Sequence, residues 1–513
     1  MISVSAIYRG GTGGALPLLR VGGSGGIRRW MNTGSSSTHH DRPHQILSTI
    51  LIDHPKKVDR NDVVAAIKSS VEAYRLDASK HNAAFFFMTP QLAQWAGSGL
   101  PFLKDAMQAI FTSPSSGSLE EYKYSIAAVV DKIPSSEKGS HEGISMCITD
   151  MESIKIKPTS ATTTVGRMKS TAKEEQPLVS FAARKGTLEQ QIGIRLANTL
   201  FLNGMPRTLL ASQWLMQPNG EAEVINQSTL SNCRVFTTKE ASTKSRLALL
   251  PVTSPRTVAG CVGNILSRLH RNGPKATAEP ASLELERIFP QYLEQHELKA
   301  QAVGVWALVR PKDMCATSDV NASLESGARL FRVLSGGGGW GNKQGLLSLD
   351  PECDLTSKSF YDDSSLSLAE AFGASSEEQE PEMPSFSSIF GGSEFPSLGN
   401  TVAEGETVQF FVGKLDDESL VVRENDGLSS NSFPRMTFGV TPKNNEFEGQ
   451  LRGQDKTTTS SSVTKIPNFF GALTEECLTF VSSGDGATHT AGGRIGTKID
   501  VPGSRLSIEM SQQ

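Results

Sequence analysis

Ala83-Ala84-Phe85-Phe86-Phe87-Met88-Thr89-Pro90 contains six consecutive apolar residues and ends at a proline. A short unbroken apolar run of this kind is typical of a strand buried on both faces. Residues 46–52 form a second apolar run upstream. Between the two runs, apolar residues recur at helical spacing, namely Val63, Ile67, Val71 and Tyr74. Strand, helix and strand in this order favour a βαβ unit with a right-handed crossover.

The α/β pattern continues to residue 157. Residues 91–111 indicate a helix that is interrupted near Pro101, since proline cannot continue a helix. Three further strands are expected at 125–130, 143–149 and 154–157. We therefore predict an N-terminal α/β domain over residues 43–157. The polar residues 158–186 are predicted to be a connecting loop.

A C-terminal α/β domain is predicted from residues 187–352 together with 401–513. Apolar residues at helical spacing indicate two helices, one from Leu188, Ile192 and Leu196 and one from Val262, Ile265, Leu266 and Leu269. A third helix, at 283–298, contains Pro290. Asn203-Gly204 signals a hairpin between 199–202 and 208–211, and helix and hairpin compete for the residues near 199. Other apolar runs predict strands at 247–250, 303–309, 346–349, 408–412, 420–422, 436–440 and 478–481.

Residues 353–400 interrupt this domain and differ from it in composition. Nine acidic residues are opposed by Lys358 alone, among many Ser, Gly and Pro. A segment of this composition buries too little apolar surface to fold by itself. It is therefore predicted to be an acidic disordered insertion. The expected fold class is mixed α/β (α+β), with a two-lobed body.

The first 40 residues have the composition of a mitochondrial presequence. They contain Arg9, Arg20, Arg28 and Arg29 but no Asp or Glu, and they are rich in Ser, Gly and Thr. We expect residues 1–42 to be a presequence and disordered start, cleaved near Trp30 on import into the mitochondrial matrix. A disordered Gly/Ser tail and plastid import are the alternatives. Cleavage would change the net charge from −4 to about −8, because residues 1–30 hold four Arg and no acids.

Several classes of protein have no support in the sequence. No apolar run approaches the roughly 20 residues that span a bilayer, so the chain is not expected to span a membrane. No two of the six cysteines lie closer than 28 residues, and HExxH is absent, so no metal site is indicated. The sequence indicates no cofactor and no catalytic residues, and it leans against an enzyme.

The glycine-rich connection at 335–345 is the most unusual local sequence. Converging backbone N–H groups can bind an anion, and the candidate ligand-binding residues are Gly337, Gly338, Gly339, Trp340, Gly341 and Lys343. A Walker A loop would end in Gly-Lys-Ser or Gly-Lys-Thr, whereas here Asn342 precedes Lys343 and Gln344 follows it. A small anionic or amphoteric ligand is the expected guest. A tight turn packed under Trp340, and a nucleotide-using enzyme, are the alternatives.

Residues 234–275 form a basic segment. Eight basic residues are opposed by Glu240 alone, which gives a local charge of +7: Arg234, Lys239, Lys244, Arg246, Arg256, Arg268, Arg271 and Lys275. Such a segment can contact phosphates, although only Phe236 is available to stack on bases. RNA or the mitochondrial ribosome is therefore an alternative partner, and docking of the acidic insertion is another.

Several short phrases resemble the FIST family of ligand-sensing domains. They are Ala84 to Pro90, the run Gly405-Glu406-Thr407-Val408-Gln409-Phe410-Phe411, Thr164 to Arg167 and Gly337 to Leu349, the last two being similar to fungal mitochondrial chains of this type. The resemblance covers residues 45–480, and the acidic insertion and the lack of an F-box depart from it. It implies a non-enzymatic sensory module for small ligands such as amino acids. An accessory role in mitochondrial gene expression is the alternative function.

Overall fold

The structure is a computed structural model. It describes residues 45–72, 74, 76–77, 80–97, 101–111, 121–135, 140–159, 177–270, 277–295, 303–312, 314, 319–336, 345–350, 365–373, 401–413, 433–442, 462–483 and 494–510. All of them belong to one compact unit, Arg42–Gln513. The predicted presequence, residues 1–42, lies outside the described residues.

The fold is mixed α+β and rich in sheet, with 53% strand and 21% helix, in agreement with the predicted class. The strands are β1 (Ile46–Ile52), β2 (Ala83–Met88), β3 (Glu121–Val129), β4 (Ile133–Pro134), β5 (Ser140–His141), β6 (Gly143–Thr149), β7 (Ile154–Pro158), β8 (Leu178–Lys185), β9 (Leu188–Arg195), β10 (Leu209–Met216), β11 (Ala222–Phe236), β12 (Ala241–Arg246), β13 (Leu249–Pro251), β14 (Arg256–Val262), β15 (Ile265–His270), β16 (Ala278–Pro280), β17 (Val305–Arg310), β18 (Arg329–Gly336), β19 (Leu347–Leu349), β20 (Leu366–Ser367), β21 (Thr407–Gly413), β22 (Arg435–Val440), β23 (Val463–Pro467), β24 (Phe469–Thr474), β25 (Leu478–Ser483), β26 (Arg494–Ile499) and β27 (Arg505–Met510). The helices are α1 (Arg60–Glu72), α2 (Pro101–Phe111), α3 (Leu200–Asn203), α4 (Ser282–Gln295), α5 (Val320–Glu325) and α6 (Leu368–Gly373), with 3₁₀ helices at Pro90–Ala96 and Met151–Ser153.

A 13-stranded sheet forms the centre of the molecule. Its main path is β23-β1-β6-β2-β3-β10-β11-β8-β9-β25-β26, and β7 and β20 extend it from β11. β2 and β3 are adjacent and parallel, and α2 lies between them in the chain. They form a βαβ unit. The βαβ unit predicted from the runs at 46–52 and 83–88 is not formed by adjacent strands, because β6 lies between β1 and β2 and is antiparallel to both. β3 of the predicted first domain pairs with β10 of the predicted second domain, so both belong to one sheet.

The alternation of side chains along each strand separates two cores. In β2, Phe85 and Phe87 face one side, while Phe86 and Met88 face the other. The second side is covered by α1 and α2. The first side holds the larger core, to which the four-stranded sheet β12-β27-β22-β24 contributes. Phe85 lies at its centre, with ring centroids 4.9 Å from Phe87, 5.6 Å from Phe181 and 6.1 Å from Phe470.

A small closed barrel completes the fold. Its six strands pair in the ring β14-β15-β19-β18-β17-β21, and β21 returns to β14. Val258, Leu266, Val309, Phe331 and Phe410 lie in the apolar interior, which forms a core of its own. Closure leaves these six strands without an open edge over the paired residues.

Several predicted elements are confirmed. The runs at 46–52 and 83–88 are β1 and β2, and the interruption near Pro101 falls between the 3₁₀ helix and α2. The helix predicted at 283–298 is α4, which contains Pro290. The strand predicted at 420–422 lies outside the described residues.

Other predictions are wrong for reasons of local chemistry. The helix predicted from Val262 to Leu269 is the hairpin β14–β15, because Gly263 adopts a positive φ of 59° and turns the chain. The helix predicted from Leu188 is strand β9. Of the helix and the hairpin that competed for the residues near 199, the structure has the short helix α3, which ends at Gly204 in the left-handed conformation, as glycine allows.

Two segments are more ordered than predicted. Part of the expected connecting loop, 158–186, is strand β8, which pairs with both β11 and β9. Within the expected acidic insertion, 353–400, residues 366–373 form β20 and α6. Leu368 is fully buried in the main core, and this apolar contact explains the order of an otherwise acidic stretch. The rest of the insertion lies outside the described residues.

Candidate functional site

The glycine-rich connection joins β18 to β19 at one end of the barrel. Its predicted ligand-binding residues, Gly337 to Gly341 and Lys343, lie outside the described residues. The two ends of the connection are described and tightly packed. A Cβ at Gly345 would lie 2.5 Å from the Cβ of Pro280, and one at Gly336 would overlap the side chain of Leu347. Gly345 also has a φ of +86°. Glycine is therefore required at Gly345, whereas a side chain at Gly336 would have to displace the end of the Leu347 side chain.

The basic segment does not form a single surface over its described part. Arg234 lies in the central sheet, Lys244 in the four-stranded sheet, and Arg256 and Arg268 in the barrel. Lys244 pairs with Glu509 at 2.6 Å, and the Arg256 guanidinium donates three hydrogen bonds to Glu284, the shortest at 2.9 Å. Arg271 and Lys275 lie outside the described residues. The described residues of this segment therefore give no support to contact with RNA or a ribosome.

Polar and charged side chains meet on one face of the strands β8, β9, β25 and β26. Register places them in two rows across the sheet. In the first row Leu178 pairs with Arg195, and Cys477 and Asp500 flank the neighbouring pair Leu478–Ile499 along the chain; the second row is Ser180, Gly193, Thr479 and Lys498. Gln191 of β9 belongs to the third row. We call these nine residues the polar face.

The polar face is largely removed from solvent. Ser180 and Thr479 are each 1% exposed, Gln191 is 2% exposed and Arg195 is 9% exposed. Burial of polar groups destabilises a fold unless they are hydrogen-bonded or paired. A buried set of this kind therefore needs either internal partners or a bound molecule.

Lys498 carries the densest contacts of the polar face. Its Nζ lies 2.8 Å from Oδ2 of Asp350, which follows β19 of the barrel, and 3.8 Å from Oδ2 of Asp500. Trp306 of β17 donates from Nε1 to Oδ1 of Asp500 at 2.7 Å. Burial works against the charge of Lys498, but the hydrogen bond that it donates to Asp350 and the two carboxylates together raise its pKa above the ordinary value. This charged junction joins the barrel to the central sheet.

Two glycines leave the space that the Trp306 side chain occupies. A Cβ at Gly413 would lie 2.9 Å from the indole, and one at Gly304 would overlap it. On the ring, the guanidinium carbon of Arg332 lies 5.9 Å from the centroid, a cation–π contact. The ring is thus fixed with its N–H directed at Asp500.

Cys477 is not an activated nucleophile. Burial raises the pKa of its thiol to about 11, against the opposing effect of Arg195 and Lys498. A thiol with a raised pKa is almost entirely protonated at neutral pH, and the thiolate is the reactive form. Cys147 and Cys233 are also buried free thiols.

Gln191 has an unused hydrogen-bond acceptor on the polar face. Its Nε2 donates to Ser180 Oγ at 2.7 Å. Its Oε1 is buried and has no hydrogen-bond partner among the described residues. Gly193 lies beside it in the same strand and contributes no side chain. The arrangement offers cations, carboxylates, hydroxyls and an amide oxygen around small residues, which suits binding of a small polar molecule.

Comparison with known proteins gives no assignment. No family model matches the chain. No curated protein and no solved structure matches it either. The site therefore rests on the geometry alone. Among the described residues, no three His, Cys, Asp or Glu side chains form a group able to hold a metal ion. None of the described helices has the length and apolar character needed to cross a membrane.

The polar face is not evident from the sequence. Arg195 lies about 300 positions from both Cys477 and Lys498, and it becomes their neighbour only through strand pairing. One local signal was present, since Lys498-Ile499-Asp500 alternates charged and apolar residues as a strand with one polar face does.

Proposed function

We propose that this chain is a non-enzymatic ligand-binding protein of the sensory type, and that the polar face contacts its ligand. The observation that carries the proposal is the placement of opposite charges, hydroxyls and an amide oxygen with spare capacity on one buried sheet face. Residues buried at such a position contribute little to a hydrophobic core. Their combined chemistry is that of a recognition surface.

The balance of charge favours an amphoteric ligand. Arg195 and Lys498 supply two positive charges, and Asp350 and Asp500 supply two negative charges. Burying a further net charge would be unfavourable. A zwitterion such as an α-amino acid adds no net charge and offers a partner to each sign. This matches the ligand class that the resemblance to FIST domains implies.

The glycine-rich connection and the polar face are close in the chain. β19 spans only Leu347–Leu349, with the connection before it and Asp350 after it. A ligand that contacts Asp350 would therefore lie only a few residues along the chain from the connection. Contact of Gly337, Gly338, Gly339, Trp340, Gly341 and Lys343 with the same ligand remains part of the proposal.

A two-lobed, FIST-like body and residence in the mitochondrial matrix also belong to the proposal. The first is supported by the sequence phrases that resemble the family. The second is supported by the arginine-rich, acid-free start of the chain.

Titration calorimetry on the purified chain with individual α-amino acids tests the function. Two adjacent glutamines give a matched pair of variants, because both are buried and lie on the same strand but face opposite sides. Gln191 lies on the polar face, whereas Gln190 accepts a hydrogen bond from Thr243 on the other face. We expect Gln191→Leu to weaken binding by about 1 to 3 kcal/mol, and Gln190→Leu to leave affinity unchanged.

Two results would contradict the proposal. One is the absence of measurable heat with every α-amino acid tested, on a chain shown to be folded by circular dichroism. The other is an equal loss of affinity in both glutamine variants, which would place the ligand away from the polar face.

A further inference from the structure

Helix α3 presents three large apolar side chains to solvent. Phe201 is 95% exposed, and its neighbours Leu200 and Leu202 are 44% and 42% exposed. Exposure of a phenylalanine ring to water is unfavourable. Scattered single apolar residues are ordinary on protein surfaces, whereas a contiguous group marks an interaction site. We call residues 200–202 the apolar tip.

The tip is held rigidly by polar side chains beneath it. Thr199 donates from Oγ1 to the carbonyl of Met205 at 2.8 Å and also contacts Thr208 Oγ1 at 2.7 Å. Asn203 donates from Nδ2 to Thr208 Oγ1 at 2.8 Å and to the carbonyl of Ala93 at 3.3 Å. Gly204, at a φ of 80°, ends the helix. The turn is therefore fixed before binding, and a fixed side chain loses little entropy when it is bound.

The surroundings of the tip indicate the charge of its partner. The segments 90–97 and 196–206, which build the tip, contain no charged residue. At its base, Arg207 binds Glu476 at 2.6 Å, and the backbone N–H of Glu475 donates to Asp131 at 2.7 Å. Lys132 does not add a free positive charge, because it is paired with Glu142 at 2.7 Å. Glu475 and Glu476 lie close enough to Asp131 to act on its carboxyl, and Glu476 pairs with Arg207.

We propose that the apolar tip docks into an apolar pocket on another protein, and that the rim of this pocket is basic. The tip is convex, so two copies meeting tip to tip would bury far less than the roughly 1,200 Å² of a stable interface. A bilayer with anionic lipid would be repelled by the acidic base of the tip. A pocket that receives one aromatic anchor fits the shape, since aromatic side chains in pockets dominate interface energies.

Photo-crosslinking in the cells that make the protein tests this docking. Phe201 is replaced by p-benzoylphenylalanine in the full-length chain. Tyr122 receives the same replacement as a control. It is an aromatic residue, 53% exposed, at the start of β3, whereas the base of the tip lies beyond the end of β3. We expect one discrete heterologous adduct from position 201 and none from position 122.

Binding of the crosslinked protein is then measured with both components purified. We expect a 1:1 complex that Phe201→Ser weakens at least 30-fold, that Phe201→Leu weakens less, and that loses affinity as NaCl rises. The thermal midpoint of the chain should be unaffected by either substitution. Three outcomes overturn the proposal: no adduct at 201, an adduct only with a second copy of the chain, or Phe201-dependent sedimentation with phosphatidylcholine–cardiolipin vesicles.

Discussion

Replacement of Lys498 by methionine removes the cation of the charged junction and keeps the length of the side chain. Lys498 is 14% exposed and faces Asp350 at 2.8 Å and Asp500 at 3.8 Å. Without it, two buried carboxylates have lost their shared partner. Loss of one member of a buried ion pair destabilises a protein by about 3 to 5 kcal/mol. Because whole proteins are stable by only about 5 to 15 kcal/mol, we expect a large fall in the free energy of unfolding.

Lys244→Met is the matched control. Lys244 also joins two strands through a carboxylate, Glu509 at 2.6 Å, but it is 67% exposed. Solvent-exposed pairs contribute about 0 to 1 kcal/mol. Urea unfolding followed by tryptophan fluorescence compares the two variants directly. Equal loss of stability in both would refute the conclusion that the junction is a buried ionic contact between barrel and sheet.

The double variant Lys498→Met/Asp350→Leu adds an internal check. If the two side chains act through each other, the effects of the single substitutions will not add. We expect a coupling energy above about 0.5 kcal/mol, because substitutions at independent sites add to within about that value.

Three further predictions concern pH, packing and processing. Burial raises the pKa of Asp131 from 3.8 to about 6. The fold therefore favours the protonated carboxyl, and the stability that this contributes is lost as the pH rises from about 4 through about 6. Asp131→Asn should therefore raise the melting temperature at pH 8 and lose that advantage by pH 4; a constant difference would contradict this. Phe85→Ala should destabilise by about 3 to 5 kcal/mol, whereas Phe201→Ala, at an exposed site, should stay within about 0.5 kcal/mol in the same denaturation assay. N-terminal sequencing of protein from cells should find cleavage near Trp30, and an intact Met1 on the bulk of cytosolic protein would exclude mitochondrial import.

Strands buried on both faces were predictable because their sequence leaves few alternatives. The run 83–88 has no polar residue, so neither face of β2 can meet water, and a strand of six residues fits a sheet covered on both sides. The break at Pro101 was equally clear, because a proline has no backbone N–H to continue a helix. Both features depend only on local chemistry.

Elements with one polar face were harder to assign. Val262, Ile265, Leu266 and Leu269 match the spacing of a helix, yet they belong to two strands joined by a turn. The turn residue Gly263 carried the information that the apolar spacing concealed. Asn203-Gly204 is ambiguous in the same way, because a left-handed glycine both closes a hairpin and ends a helix.

The candidate site could not be predicted from the sequence, for a different reason. The polar face depends on β25 lying between β9 and β26, and no periodicity within β9 specifies a partner almost 300 positions away. The glycine-rich connection could be identified as a candidate site because its residues are consecutive in the sequence. Sites assembled across sheet neighbours lack such a signal.

The position of β1 has a consequence for how the chain folds as it is made. β1 is flanked by β6 and by β23, and Thr49 donates from its hydroxyl to the carbonyl of Phe469, a separation of 420 residues. Contacts between such distant residues slow folding, because a long loop must close before they form. β1, the first of the described strands, therefore waits until residues 463–467 are made before its outer edge is paired. Over that interval, an apolar strand with an open edge is exposed to aggregation, and the nascent protein depends on protection until its last strands arrive.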